Sequence, residues 1–273
     1  MSQRTLTAVA GLLVGWPALV HAQQTITLAS TTSVEDSGLL KDLLPKFTAA
    51  TKIEVHVVAQ GTGQALDTAR RGDADLVLVH DPDAEQTFIS QGFGVTRQQI
   101  AWNDFIVVGP KSDPARVLGG HDALTALKTI AGAQAPFVSR GDRSGTNALE
   151  LRLWKAAGIV PPETPGGWYR NIGGGMGAAL NAAAAMDAYT ISDRGTWLSF
   201  QNKRDLVIEI EGDPRLINRY DVIELDPKRH NPQSTSAAHA LAQWLASPDG
   251  QAAIGAYQVK GAQLFHPSAG SPK

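Results

Sequence analysis

Residues 24–33 read Gln24-Thr25-Ile26-Thr27-Leu28-Ala29-Ser30-Thr31-Thr32-Ser33, and the next fifteen-odd residues, Ser37 to Thr51, place Leu39, Leu40, Leu43, Leu44 and Phe47 on one helical face. The first stretch alternates like a β-strand, the second has the spacing of an amphipathic helix, and hydroxyl residues fill the joint. A strand that passes at once into a helix is the building unit of an α/β fold. Asp36 follows Ser33 at the spacing of a capping box, which predicts a helix start at Ser33. Pro45 is expected to bend or shorten that helix.

The unit recurs along the chain. Ile53 to Val58 reads as a strand, Gln64 to Arg71 as a helix stopped by Gly72, and Leu76-Val77-Leu78-Val79 as a buried parallel strand. A helix over Ala84 to Gln91 and a strand over Phe105 to Val108 follow. After Gly109-Pro110 the pattern restarts with a helix over 121–131, a strand end at Phe137-Val138-Ser139 and a helix from Asn147 to Ala157. Gly173-Gly174-Gly175 then lead into an Ala-rich helix and a strand near Tyr189-Thr190-Ile191. Strands at Leu206 to Ile210 and Asp221 to Leu225 and helices at Ser236 to Ala246 and Asp249 to Ala256 complete the chain. The expectation is two α/β lobes, each a mainly parallel sheet flanked by helices. Residues 23–109 plus about 200–273 form lobe 1, and about 110–199 form an inserted lobe 2.

The N-terminus is a processing segment. Arg4 precedes an apolar run from Leu6 to Val20, closed by the small-x-small pattern Val20-His21-Ala22, so residues 1–22 read as a secretory signal. The run is short for a bilayer span. With no cysteine in 273 residues, disulfides, thiolate metal sites and a lipid-bearing N-terminal cysteine are excluded. The expected location is the periplasm, as a freely diffusing monomer. A balance of 24 Lys and Arg against 26 Asp and Glu argues against nucleic acid as a partner.

Three joints concentrate small polar residues between a strand and a helix: Ser30-Thr31-Thr32-Ser33, Gly61-Thr62-Gly63-Gln64, and Ser139-Arg140-Gly141-Asp142-Arg143-Ser144-Gly145-Thr146. A helix N-terminus offers unpaired N–H groups and partial positive charge, and neighbouring hydroxyls add donors. Three such ends meeting at one point make an anion socket, at the strand ends where α/β sheets bind ligands. Arg140 is its natural cation, because a guanidinium presents several donors in a fixed fork. Arg143 and Arg194 read as solvated or structural charges.

These joints carry a family resemblance. Ser30-Thr31-Thr32-Ser33 with Asp36-Ser37-Gly38-Leu39-Leu40, then Gly61-Thr62-Gly63-Gln64-Ala65-Leu66, Asp75 to His80, Asn103-Asp104-Phe105 with Val108-Gly109-Pro110, the Arg140 loop, Gly175-Met176-Gly177-Ala178, and Tyr189-Thr190 with Asp193-Arg194-Gly195-Thr196 together resemble the tungstate-binding periplasmic proteins of the TupA type. The resemblance spans almost all of the chain after the signal. It implies a two-lobed, hinged type II periplasmic-binding fold with the ligand in the cleft between the lobes. It also implies delivery of tungstate, and molybdate, to the permease of an ATP-driven importer, with no catalytic residues, cofactor or coordinated metal cation. Carried over, the oxyanion-binding residues are Ser30, Thr31, Thr32, Thr62, Arg140, Ser144 and Thr146, with Ser33, Gly61, Gly63, Ser139 and Gly145 as secondary candidates. Ser30 departs from the family's usual threonine.

Two alternatives stay open on the residues alone. Hydrogenphosphate carries a proton and needs an acceptor that Asp142 or Asp193 would supply, whereas tungstate and molybdate need donors only. If Asp142 holds an arginine instead, phosphate loses that acceptor. An exported Ser-dependent hydrolase would use Ser144, but no base accompanies it. Neither a G-x-S-x-G elbow, a P-loop nor an H-E-x-x-H pattern occurs. The glycines at 173–177 can be forced onto a dinucleotide fingerprint, yet no convincing strand precedes them.

Overall fold

The computed structural model describes residues 24–162, 166–229 and 231–270. The signal reading at 1–22 lies outside them. In chain order the elements are β1 (Gln24–Thr31), α1 (Thr32–Ser37), α2 (Leu39–Thr51), β2 (Ile53–Gln60), α3 (Thr62–Arg70), β3 (Leu76–Val79), α4 (Pro82–Ser90), β4 (Gly94–Pro110), α5 (Ala123–Gly132), β5 (Phe137–Ser139) and α6 (Gly145–Ala156). There follow β6 (Tyr169–Asn171), α7 (Met176–Met186), β7 (Thr190–Asp193), α8 (Arg194–Ser199), β8 (Leu206–Ile210), β9 (Ile217–Leu225), α9 (Pro232–Ala246), α10 (Pro248–Ala256), β10 (Gln258–Val259), β11 (Ala262–Gln263) and β12 (His266–Pro267).

The expected parallel pairing is found where strand–helix units repeat: β1 lies between β2 and β3, parallel to both, and β5 is parallel to β6. The sheet is nevertheless mixed. β9 runs antiparallel to β3, and β4 runs antiparallel to β9. β4 is the spine of the molecule, because its first part pairs with β9 and its end, Phe105 to Pro110, pairs antiparallel with β7 and β8. That single long strand was foreseen only over Phe105 to Val108, since its first part is half-exposed and polar.

Side chains alternate across a strand, so both faces of each half of the sheet bury a core. In β3, Leu76 and Leu78 join Leu28, Leu40, Phe47, Leu241 and Phe265 on one face, while Val77 and Val79 join Leu66, Phe88 and Ile223 on the other. At the end of β4, Phe105 and Val107 pack with Phe137, Trp154 and Tyr189, and Ile106 and Val108 pack with Leu180, Ala183 and Trp197. The C-terminal helices contribute Leu241, Leu245 and Ile254 to the core that β1 also serves.

Two local expectations at the first joint are corrected. The cap of α1 is Thr31, whose Oγ1 accepts from Val34 N at 3.2 Å, so the helix starts before Ser33 and the Ser33–Asp36 capping box does not form. Pro45 does not shorten α2, which runs its full 13 residues. A proline inside a helix costs roughly 3 kcal/mol, whereas burying Leu39, Leu40, Leu43 and Phe47 returns about 1.5–3 kcal/mol each. The break falls instead at Gly38, in the left-handed region at φ 79°, where the Tyr257 hydroxyl donates to Ser37 O at 2.6 Å.

Candidate oxyanion site

A cleft of about 610 Å³ opens where the N-terminal ends of α1, α3, α6, α7 and α8 converge. One wall carries Thr32, Ser33 and Asp36 from α1 with Gly61, Gly63, Gln64 and Asp67 from α3; the facing wall carries Arg140, Asp142, Arg143 and Ser144, with Gly175, Met176 and Thr196 beside them. The three joints singled out in the sequence therefore do meet. Each helix start leaves N–H groups with no acceptor inside the helix. The caps of α3 and α7 are glycines, Gly61 and Gly175, which have no side chain to cover those donors.

The Arg140 loop rests on a buried polar scaffold. Glu150, 3% exposed, accepts from Ser139 Oγ at 2.7 Å, Tyr169 OH at 2.8 Å and Trp154 Nε1 at 3.1 Å. Burial raises its pKa, and the donors from Ser139, Tyr169 and Trp154 pull the other way. Asn147 Nδ2 donates to Ser139 Oγ at 3.3 Å. Gly141 turns the loop at φ +61°, a position where a Cβ would lie 1.5 Å from Asn171 Oδ1, so only glycine fits. Gly174 N donates to Arg140 O at 3.0 Å, tying the glycine run before α7 to the loop.

Arg140 is 4% exposed and held at three atoms: Nη2 donates to Asp142 Oδ2 at 2.5 Å, Nε to the same oxygen at 3.1 Å, and Nη1 to Thr146 Oγ1 at 3.2 Å. Asp142 Oδ1 accepts from Ser144 N at 3.1 Å. Burial works to raise the Asp142 pKa, but the Ser144 donors and the Arg140 guanidinium outweigh it and hold the carboxyl below its ordinary range. Both oxygens of this carboxylate are thus committed within the loop. Asp193 is committed too, accepting from Thr196 N and Oγ1, each at 2.7 Å.

The predicted residues divide by where their hydroxyls point. Thr32, Ser33, Gly61, Gly63, Arg140 and Ser144 line the cleft. Ser144 Oγ caps α6 by accepting from Asn147 N at 3.3 Å, and its hydroxyl helps hold the Asp142 carboxyl down. Thr62 is 3% exposed at the start of α3, and its Oγ1 is buried with no hydrogen-bond partner. Thr31, Thr146 and Gly145 lie just behind the lining. Ser30 and Ser139 are turned away: Ser30 Oγ donates to Leu78 O at 2.9 Å, across the β1–β3 pairing, and the Ser139 proton goes to Glu150.

Several residues at the cleft were not singled out as ligand contacts. Gly175 and Met176 bring the start of α7, which the glycine run before an Ala-rich helix signals locally. Arg143 is exposed in the lining at φ 57° and makes no ion pair among the described residues, so it is a second cation facing the cleft. Arg194 is structural, as expected, with Nε and Nη2 each 2.6 Å from Asp104 and Nη2 2.7 Å from Glu211. Among the described residues no group of three or more His, Asp or Glu could hold a metal ion, and no helix is long and apolar enough to cross a membrane.

Comparison with known proteins matches residues 19–249 to the family model described as a PBP superfamily domain. The tungstate-binding protein TupA of Peptoclostridium acidaminophilum is 45% identical over 253 residues, which cover 91% of this chain and 87% of that protein. The solved structure of the tungstate-binding protein TupA from Desulfovibrio alaskensis G20 superposes with a TM-score of 0.81 at 41% identity, over 90% of this chain and 99% of that one. A structure described as the tungstate ABC transporter from Geobacter sulfurreducens superposes with a TM-score of 0.78 at 42% identity, over 87% and 100% of the two chains.

Proposed function

The chain belongs to the TupA-type tungstate-binding proteins within the PBP superfamily, and from that premise we propose that it is the periplasmic binding component of an ABC importer that holds tungstate or molybdate in the cleft. The observation that carries this reading is the commitment of Asp142: with Oδ2 taken twice by Arg140 and Oδ1 by Ser144 N, the loop's carboxylate is turned to protein donors rather than to the proton of a hydrogenphosphate. Apart from Asp36 and Asp67 on the opposite wall, the groups on offer are donors: the buried Thr62 hydroxyl, the first-turn N–H groups of α1, α3 and α7, the guanidinium of Arg143, and the Ser144 hydroxyl that also serves Asp142. That set suits a dianion without protons.

In this reading the ligand is held by Thr31, Thr32, Thr62, Arg140, Ser144 and Thr146 with Arg143, while Ser30 and Ser139 support the walls. The same reading divides the chain into two lobes. One is built on β1, β2, β3, β9 and the first part of β4, the other on residues from about Phe105 to Leu216, with the chain crossing on β4 and just before β9. Six or seven charge-assisted hydrogen bonds supply roughly 10–20 kcal/mol gross. Association and closure take several kcal/mol of that, which leaves room for nanomolar binding at about −12 kcal/mol. The protein acts as a monomer that docks on membrane permease subunits and performs no catalysis.

A thermal-shift screen tests the assignment. Tungstate and molybdate raise the melting temperature by mass action. A protein that ignores both ions but turns over ester substrates would be the exported hydrolase instead.

A further inference from the structure

His80 follows β3 directly and is buried, lining with Gly145 a smaller cavity of about 230 Å³ separate from the cleft, its ring 5.1 Å from that of Tyr220. Its Nε2 lies 3.1 Å from Thr31 Oγ1, the oxygen that already accepts from Val34 N at the cap of α1. Its Nδ1 is buried with no hydrogen-bond partner among the described residues. On that side stands the first residue of α6: a Cβ on Gly145 would lie 2.6 Å from the ring Cε1 and 2.8 Å from Nδ1, so this glycine is what lets the two walls of the cleft approach. Burial holds the imidazole pKa down at about 4, with Asp81 and Asn218 opposing the fall and Arg140 adding to it, so the ring is neutral near pH 7.

A neutral imidazole carries one proton, and its place decides what Thr31 can do. The positive end of α6 beside Nδ1 favours a lone pair there, and a buried orphan N–H is the costlier alternative. The Asn218 side chain is near enough to oppose the fall in the imidazole pKa, but its amide nitrogen is committed to Tyr220 OH at 2.7 Å and Asn103 Oδ1 at 2.9 Å, and none of its atoms makes a hydrogen bond of good geometry with Nδ1. The geometry points to the proton on Nε2, donated to Thr31 Oγ1 at 3.1 Å. A hydroxyl oxygen has two acceptor positions, and on Thr31 both are then filled, by Val34 N and His80. Only the Thr31 proton remains, and it has no acceptor among the described residues.

We propose that His80 is a specificity-determining positioning residue, which locks the Thr31 hydroxyl as a donor and so turns the cleft against oxyanions that bring a proton of their own. The inference rests on the oxyanion reading above. Without His80 the hydroxyl can rotate to accept from a P–OH group, and the preference for proton-free dianions narrows.

The test is calorimetry with tungstate and with inorganic phosphate on the wild type, His80→Leu, His80→Gln, Thr31→Val and the Thr31→Val/His80→Leu double variant. His80→Leu is expected to shrink the tungstate-to-phosphate affinity ratio about tenfold, the scale of one hydrogen bond. His80→Gln, which keeps a donor, restores most of it. In the Thr31→Val background His80→Leu leaves the ratio unchanged. Equal weakening for both anions, or the same loss of ratio with and without the Thr31 hydroxyl, overturns the role of His80 alone. A wild type that binds no tungstate overturns the oxyanion reading and this inference together. Nitrogen-15 NMR of wild-type His80 is independent of how the variants fold: an Nε2–H tautomer is expected, and an Nδ1–H tautomer refutes the proposal.

Discussion

The two walls of the cleft are built from different chemistry. The wall formed by the Arg140 loop concentrates charge on a rigid footing, with Arg140 fixed by Asp142 and Thr146 and the loop anchored below by Glu150. The α1 and α3 wall lines the cleft with hydroxyls, glycines and helix starts, and its only charged lining residues are Asp36 and Asp67. Asp67 is neutralised by Arg70 at 2.6 Å. Charge recognition is thus assigned to one wall, and directional hydrogen bonding without net positive charge to the other. In the proposed reading a dianion attracted by the first wall is discriminated by the second, because hydroxyl and N–H donors are strong only at the right distance and angle.

Removing the charge should have the largest effect. Arg140→Ala is expected to weaken tungstate binding by about 3 kcal/mol or more, roughly a hundredfold or beyond, with cooperative unfolding retained. Calorimetry beside thermal melting checks both halves, and an unchanged affinity would erase the distinction between the walls. On the opposite wall, Thr62→Val should cost about 1 kcal/mol of affinity. The ligand-free protein should melt no lower than the wild type, since the lost hydroxyl has no hydrogen-bond partner among the described residues. A lower melting point in the absence of ligand would show that this hydroxyl serves the fold.

The smallest effect on binding is expected from Glu85, buried in α4 and outside the cleft lining. Burial and the neighbouring Asp221 raise its pKa to about 9, against the opposing pull of Arg97. The folded protein keeps a proton that the unfolded chain releases near pH 4.5, so this residue makes stability fall as pH rises from about 4.5 toward 9. Glu85→Gln should leave tungstate affinity unchanged and flatten that decline in melts between pH 5 and pH 9. An equally steep decline in the variant would contradict the assignment.

The contrast between the walls also explains what the sequence disclosed. The joints at Ser30 to Ser33, Gly61 to Gln64 and Ser139 to Thr146 were legible because a strand that ends in hydroxyls and starts a helix is a local pattern, and local patterns survive folding. Direction was not legible. In a strand the side chain changes face at each residue, so Ser30 donates to Leu78 O while Thr31 turns to cap α1. Asp142 could be read as ligand acceptor or arginine partner, and only the folded loop puts both its oxygens on protein donors. The approach of α7 and α8, the unpaired charge of Arg143 and the contact between His80 and Gly145 arise between segments distant in sequence. Pro45 misled because a local breaker was weighed without the apolar face that holds α2 in place.

The central claim is that the Arg140 loop meets the ligand with donors, its one carboxylate being spent on Arg140 and Ser144. Calorimetric titration of the wild type with tungstate and with inorganic phosphate at the same pH tests it most directly. The expected result is one tungstate per protein, with phosphate weaker by roughly a hundredfold or more, about 2.7 kcal/mol. Phosphate binding as tightly as tungstate, or no heat from either ion, would contradict it.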